Sequence, residues 1–311
     1  MLVFIFMERV KPIKLSEGMR VSELGEQMKN AGFGARKIGL AREIVRKMFS
    51  DEECKVFLGL AGAMVPAGMK GVIVDLIRGR KIDVLVTTGA NLTHDLIEAL
   101  GDEHYHCDKW NDSELHEKGY DRMYNVVMPN SAYVKLEKFF DENWEFLAQA
   151  STIRGFISKL GEALEKNSTG EDSILRACYE TKTPVFCPAL ADSGIGLMIW
   201  GRKIAGKKIE IDAFEDMNEI IDLAWGAKKR GVIYVGGGVP KNFIQQSLQF
   251  SKGAEYGVQI TTDAQEPGGS SGAPLEEGKS WGKLKPGAEE NKDFVDVRCD
   301  ATIALPLIFC D

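Results

Sequence analysis

The chain reads as an α/β protein, a Rossmann-like parallel sheet with helices on both faces. Three observations predict it. Short apolar runs recur at residues 56–60, 83–87, 183–187, 231–235, 255–260 and 294–297. Several end in turns of small residues, such as Ala61-Gly62-Ala63 and Gly236-Gly237-Gly238. Segments with helical apolar spacing separate many of them. Apolar strands alternating with helices are the pattern of a parallel sheet buried on both sides.

The elements follow in order. Residues 19–50 are expected to be helical, because Ile38, Leu40, Ala41, Ile44, Val45, Met48 and Phe49 fall mostly on one face. After the strand at 56–60, the spacing predicts a helix over 65–78, with Pro66 near its start. The run 83–87 is a second strand, followed by a helix over 92–100. Residues 101–180 interrupt the alternation and read as a mostly polar, helical insertion or cap. The strand at 183–187 restores the pattern, and Lys208-Ile209-Glu210-Ile211-Asp212 alternates as a further strand. A helix over 214–225, the strand 231–235, a helix over 240–250, strands at 255–260 and 294–297, and a closing helix over 301–309 complete the order. No repeat or long linker divides the chain, so residues 1–311 are read as one unit.

Composition narrows the function. The 311 residues are 44% hydrophobic and 27% charged, with a net charge of −7. A nucleic-acid binder would be expected to carry a basic face, so none is expected as a partner. Six cysteines lie far apart with no C-x-x-C pair, which suits free thiols in a reducing, cytoplasmic setting. No segment approaches the ~20 apolar residues that span a bilayer, so no membrane is expected. The apolar start at residues 1–7 lacks a basic segment and a small-residue cleavage site, and is not read as a signal peptide.

Several stretches can carry chemistry. Turns at 87–91, 189–196 and 236–238 follow expected strands, the edge at which parallel sheets bind ligands. Small residues there let backbone amides approach phosphate oxygens at a helix N-terminus. The triple glycine is not a G-x-G-x-x-G fingerprint. Gly278-Lys279-Ser280 is not a P-loop either, because Ala273 stands where the first glycine would and no strand precedes it. His94, His104, His106 and His116 cluster in sequence with Cys107, which raises a zinc-type site as an alternative, although no helix-face ligand pair is present. Ser280-Trp281-Gly282-Lys283 follows a loop rich in Gly, Ser and Pro. A tryptophan beside a lysine can strip water from the ammonium and favour the free base that a nucleophile needs. An apolar anchor followed by a solvated charge is the alternative reading of the same four residues.

Taken together, the motifs resemble the deoxyhypusine synthase family. They are Val84-Leu85-Val86-Thr87-Thr88 with Asp95-Leu96; Pro188-Ala189-Leu190-Ala191-Asp192; Gly236-Gly237-Gly238-Val239-Pro240-Lys241-Asn242; Ser271-Gly272-Ala273; Glu276-Glu277; Ser280-Trp281-Gly282-Lys283; and Asp300-Ala301. The likeness runs from about Gly32 to the C-terminus, leaving residues 1–31 as an N-terminal extension. The resemblance implies a Rossmann-like fold, NAD as cofactor, and a homotetramer with active sites at dimer interfaces. It implies that NAD takes a hydride from spermidine. The butylimine then passes to Lys283, and from there to a lysine of the hypusine-bearing translation factor, where the retained hydride reduces it. On the cofactor side the resemblance puts Thr88, Gly89, His94, Asp192, Gly236, Gly237, Gly238, Thr262, Ser271, Asp300 and Ala301. On the amine side it puts Glu277, Trp281 and Asn242, with Lys283 as nucleophile and no metal.

The departures bear on the substrate. Asn242 stands where the eukaryotic enzymes carry a histidine, and asparagine cannot serve as a general base. Leu197, Pro267 and Ser270 replace acids, and His94 replaces a glutamate. Each lost carboxylate removes a partner for a buried polyamine ammonium. The pattern is closer to the prokaryotic deoxyhypusine synthase-like branch. Two alternatives follow: homospermidine synthase-like transfer to a small amine, and a metal-dependent amine or guanidine hydrolase built on His94, His104, His106 and His116. A third, an inactive NAD-binding subunit, conflicts with the intact Lys283.

Overall fold

A computed structural model describes residues 8–166 and 172–310; the apolar start at residues 1–7 lies outside them. Helices α1 (Val21–Lys29) and α2 (Phe33–Ser50) lead into strand β1 (Cys54–Leu60), α3 (Lys70–Arg78), β2 (Val84–Thr87) and α4 (Gly89–Ala99). A small lobe follows, with β3 (Tyr105–His106), α5 (Asp112–Glu117), β4 (Tyr120–Met123) and β5 (Val126–Pro129). Helices α6 (Ser131–Leu147), α7 (Ile153–Lys166) and α8 (Ile174–Thr181) precede β6 (Val185–Phe186). The second half runs through α9 (Gly194–Ile204), α10 (Ala213–Gly226), β7 (Lys229–Val235), α11 (Gly238–Gln249), β8 (Tyr256–Thr261), β9 (Phe294–Arg298) and α12 (Ala301–Phe309).

The main sheet is parallel, in the order β6-β2-β1-β7-β8-β9. Strand order runs outward in both directions from the β1/β7 pair, where Leu60 lies opposite Val235. The chain therefore leaves these two strands toward opposite sides, which opens a crevice between their C-terminal ends. Alternate residues on each strand feed two cores. Val56, Leu58, Leu60, Ile233, Val235, Val258 and Val295 join a large core with α2, α3, α4, α6, α7, α8 and α12. Phe57, Val84, Val86, Val232 and Tyr234 face a smaller one, closed by Ile220 and Ala224 of α10 and by Phe243, Ile244 and Leu248 of α11.

Three expectations are corrected. The insertion at 101–180 is not a helical cap. Its first part is a three-stranded antiparallel sheet, in the order β3-β5-β4, and its helices supply Phe140, Trp144, Phe156 and Leu160 to the large core. Their polar faces outnumber a narrow apolar stripe, which conceals the burial in a simple polarity count. Residues 208–212 form no strand; the segment is extended, with a lone bridge from Asp212 to Thr152 and Ile209 buried. The helix expected from residue 65 begins only at Lys70, because Gly68 takes a left-handed φ of 79° that ends the preceding turn.

Asp95 fastens two of these helices. It is wholly buried on α4 and accepts hydrogen bonds from Ser173 Oγ (2.8 Å), Ile174 N (2.8 Å) and Leu175 N (2.9 Å) at the start of α8. Burial raises its pKa to about 6, against the pull of those three donors. Replacing Asp95 by Ala leaves buried amides without acceptors and is expected to lower unfolding stability by about 2–4 kcal/mol. An unchanged denaturant midpoint would show that the tie contributes nothing.

Candidate active site

The crevice between β1 and β7 opens into a cavity of about 740 Å3. Its floor is the turn after β1 (Ala61, Gly62, Ala63, Met64) and the triple glycine after β7; Thr262, Ser271, Asp300 and Ala301 complete it. Backbone geometry explains the glycines. Gly236 and Gly238 have φ of 71° and 56°. A Cβ on Gly237 would stand 2.2 Å from the Cα of Ser271, so only glycine lets the loop pass this close. Gly237 is the N-cap of α11 and no side chain caps that end. Uncapped amides at a helix start, beside a surface without side chains, suit a phosphate group. Asp300 caps α12 through the Thr302 hydroxyl and amide, at 2.6 and 2.7 Å, and these contacts hold its carboxyl below the usual range.

A narrower cavity of about 150 Å3 continues from the first, sharing Ala61 and Gly238. It is lined by Thr88, Gly89, Asp192 and Val239 among others. Thr88 caps α4 by accepting from Asn91 N. A Cβ on Gly89 would stand 2.5 Å from Ser193, so the start of α4 and the turn before α9 pack backbone to side chain. Every expected cofactor residue but His94 therefore lines one of two joined cavities, whose surface fits a dinucleotide.

The expected amine residues meet elsewhere. Glu277, Trp281, Lys283 and Asn242 line a cavity of about 480 Å3, together with Lys241 and Ser270. The Lys283 ammonium lies 5.0 Å from the Trp281 ring centroid. Trp281 is itself 56% exposed, so within one chain it cannot keep water from Lys283. This cavity shares no lining residue with the other two. The loop at 270–273 stands between, with Ser271 on one side and Ser270 and Ala273 on the other. Buried Lys241 holds that loop by donating to the carbonyls of Ser270 and Ala273, both at 2.7 Å. Burial pulls its ammonium down to about 8; Asp296 and Glu277 oppose this, and Lys283 adds to it. Neither this lysine nor the turn at 61–64 is among the residues expected from sequence. The small residues after the first strand were the available signal for the turn.

The model of the deoxyhypusine synthase family matches residues 23–311. The chain belongs to the deoxyhypusine synthase family. The match begins within α1, before the likeness seen in the motifs. A relative from Methanosarcina acetivorans named "Probable deoxyhypusine synthase 1" is 44% identical over 302 residues, 96% of this chain and 92% of its own length. One from Archaeoglobus fulgidus, "Probable deoxyhypusine synthase 2", is 42% identical over 289 residues, 90% of this chain and 94% of its own. The crystal structure of an Entamoeba histolytica protein assigned as a deoxyhypusine synthase superposes with a TM-score of 0.62. It covers 96% of this chain and 95% of its own at 21% identity, a likeness of fold. Membership makes the chain one of an enzyme family of transferases.

Within that family frame, the histidines do not assemble as the hydrolase alternative requires. His94 Nδ1 lies 3.0 Å from His104 Nε2, and His104 Nδ1 lies 2.7 Å from Glu98, which also meets Lys70 at 2.6 Å. His106 and His116 are exposed. Among the described residues, no group of three or more His, Cys, Asp or Glu side chains could hold a metal ion. No described helix is long and apolar enough to cross a membrane. His94 lines none of the three cavities.

Burial pulls the His94 imidazole down to about 4; nearby His104 pushes the same way and Glu98 opposes. The unfolded chain therefore binds more protons than the folded one between about pH 4 and 6.5. Stability from neutral His94 is complete above that window and is lost as pH falls through it. In His94→Gln the decline in unfolding midpoint between pH 6.5 and 4 should be shallower than in the parent. Equal slopes would assign the decline to other groups.

Proposed function

We propose that the protein is an NAD-dependent aminobutyl transferase that takes its fragment from spermidine through an imine on Lys283 and delivers it to a lysine of the hypusine-bearing translation factor. The observation that carries this reading is the meeting of Lys283, Trp281, Glu277 and Asn242 around one cavity. Bound NAD supplies the hydride acceptor for the amine and later the hydride donor. Lys283, as the free amine, attacks the oxidised carbon, and diaminopropane leaves. The fragment stays as an imine until the acceptor amine displaces Lys283. Trp281 offers a flat apolar wall for the methylene chain and a π-face for an ammonium. The Glu277 carboxylate pairs with a cationic end of the polyamine, and Asn242 contributes hydrogen bonds but no proton transfer. On the cofactor side, the amides at the start of α11 bind the diphosphate. Thr88, Gly89, Asp192, Thr262, Ser271, Asp300 and Ala301 surround the rest.

A second copy of the chain completes the site. Lys283 and the cofactor cavities are walled apart within one chain, and an imine needs water kept out. The copy seats on an apolar face. Leu197, Trp200 and Ile204 form an exposed stripe on α9, and Phe214 and Trp225 are exposed on α10. Exposed apolar side chains of this size in helical register mark an association surface. The homotetramer is a pair of such dimers.

The chemistry is tested by incubating the protein with NAD and labelled spermidine and reducing with borohydride. Label is expected on the peptide carrying Lys283, and none in Lys283→Ala, which should still bind NAD. Label elsewhere, or transfer by the alanine variant, would remove the covalent lysine. Passage of label to putrescine rather than to the translation factor would assign the small-amine reaction instead. The assembly is tested by Trp200→Glu, which is expected to sediment as a smaller species than the parent and to lose transfer. Retained assembly would place the interface elsewhere.

A further inference from the structure

The β4–β5 hairpin carries a conformation that its own packing does not explain. Met123 pairs with Val126, so Tyr124 and Asn125 form a two-residue turn. Tyr124 has a φ of 53°, in the left-handed region where hairpin turns usually put Asn, Asp or Gly. Its side chain is 84% exposed, so burial in this chain does not offset the strain. Yet the turn is held firmly. Arg122 Nη1 donates to the Tyr124 carbonyl at 2.8 Å, and its Nε and Nη2 donate to Asp112 at 2.5 and 2.8 Å. The same guanidinium lies 4.7 Å from the Trp110 ring centroid. Cys107 N donates to the Asn125 carbonyl at 2.8 Å. These contacts fix the backbone and leave the phenol ring free. Tyr124 and Asn125 both line the 740 Å3 cavity that also holds the triple glycine and Asp300.

We propose that Tyr124 is an aromatic platform of this cavity and stacks on the adenine of the bound dinucleotide. The inference rests on the NAD reading above and adds to it the end of the cofactor that Tyr124 meets. The reacting nicotinamide must face the surface where a second copy brings its Lys283. The narrow cavity is on that side, because it carries Asp192 at the turn into α9, the helix with the exposed apolar stripe. The wide cavity, with Tyr124, is left for the adenosine half. An unburied ring carried on a strained, clamped backbone is the arrangement expected of a preorganised stacking surface.

Equilibrium titration of the whole protein with NAD, ADP-ribose and nicotinamide mononucleotide tests this. In Tyr124→Gly, affinity for NAD and ADP-ribose should fall on the order of tenfold, the usual scale of a base–aromatic stack, with the mononucleotide unaffected. Tyr124→Phe, which keeps the ring face, should stay within about twofold of the parent. Glycine accepts a positive φ freely, so the thermal midpoint of Tyr124→Gly should hold or rise, which separates lost stacking from damaged folding. Parent-like affinity for ADP-ribose in Tyr124→Gly overturns the platform while leaving the NAD reading intact. A loss confined to the mononucleotide reverses the assigned end and overturns it too. A parent protein that binds none of the three nucleotides sinks the dinucleotide reading and this inference with it.

Discussion

The buried ammonium of Lys241 holds the two halves of the candidate site in register. A loop as rich in glycine and serine as 266–273 loses much conformational entropy when it is fixed. Lys241 offsets that loss with two short hydrogen bonds to loop carbonyls, and Gln259 adds a third by donating to the Ser271 carbonyl at 2.9 Å. The loop then lies so close to Gly237 that no side chain fits between them. One wall results, with Ser271 facing the cofactor cavity and Ser270 facing Lys283. Lys241 thus sets the geometry around Lys283, the lysine proposed to react.

The sheet supplies the other constraint. Strand order diverges at β1 and β7, and the turns after them, 61–64 and 236–238, line the same cavity. The two faces of the sheet are covered unequally. The large core draws on nine of the described helices, whereas the smaller core is closed by α10 and α11. The outward side of α10 still shows Phe214 and Trp225, and α9 beside the cofactor turn shows Leu197 and Trp200. This apolar surface next to the site is where the proposed second copy would seat.

Much of this was legible in the residues. Six of the seven expected strands exist, because continuous apolar runs between small-residue turns leave a buried parallel strand few alternatives. The one that failed, 208–212, had the right alternation but no partner strand at that edge, which periodicity cannot reveal. The antiparallel lobe was missed because its strands are two to four residues long, too short for a period of two to register. For the site, motif resemblance brought together residues as distant as Thr88 and Asp192 in one cavity, and Asn242 and Lys283 in another. It carried His94 to a cofactor role by position alone. The structure turns that imidazole toward His104, and no local pattern in the sequence encodes such a pairing.

The departures from the eukaryotic pattern take on meaning through exposure. Leu197 stands where an acid is expected to meet one end of a polyamine. Here it is 58% exposed on the apolar stripe of α9, in line with Trp200 and Ile204. An unpaired carboxylate at that position would be desolvated by an apolar partner surface, at a cost of several kcal/mol unless a cation met it there. Leucine removes that cost and gains apolar area at the same contact. Under the proposed assembly, the substitution would exchange a substrate contact for a subunit contact. Glu277 is the acid that lines the Lys283 cavity, so under the proposed reading a cationic amine would meet one carboxylate and the Trp281 face there. A site with one such anchor discriminates less by charge than by the length and flatness of the apolar chain it accepts.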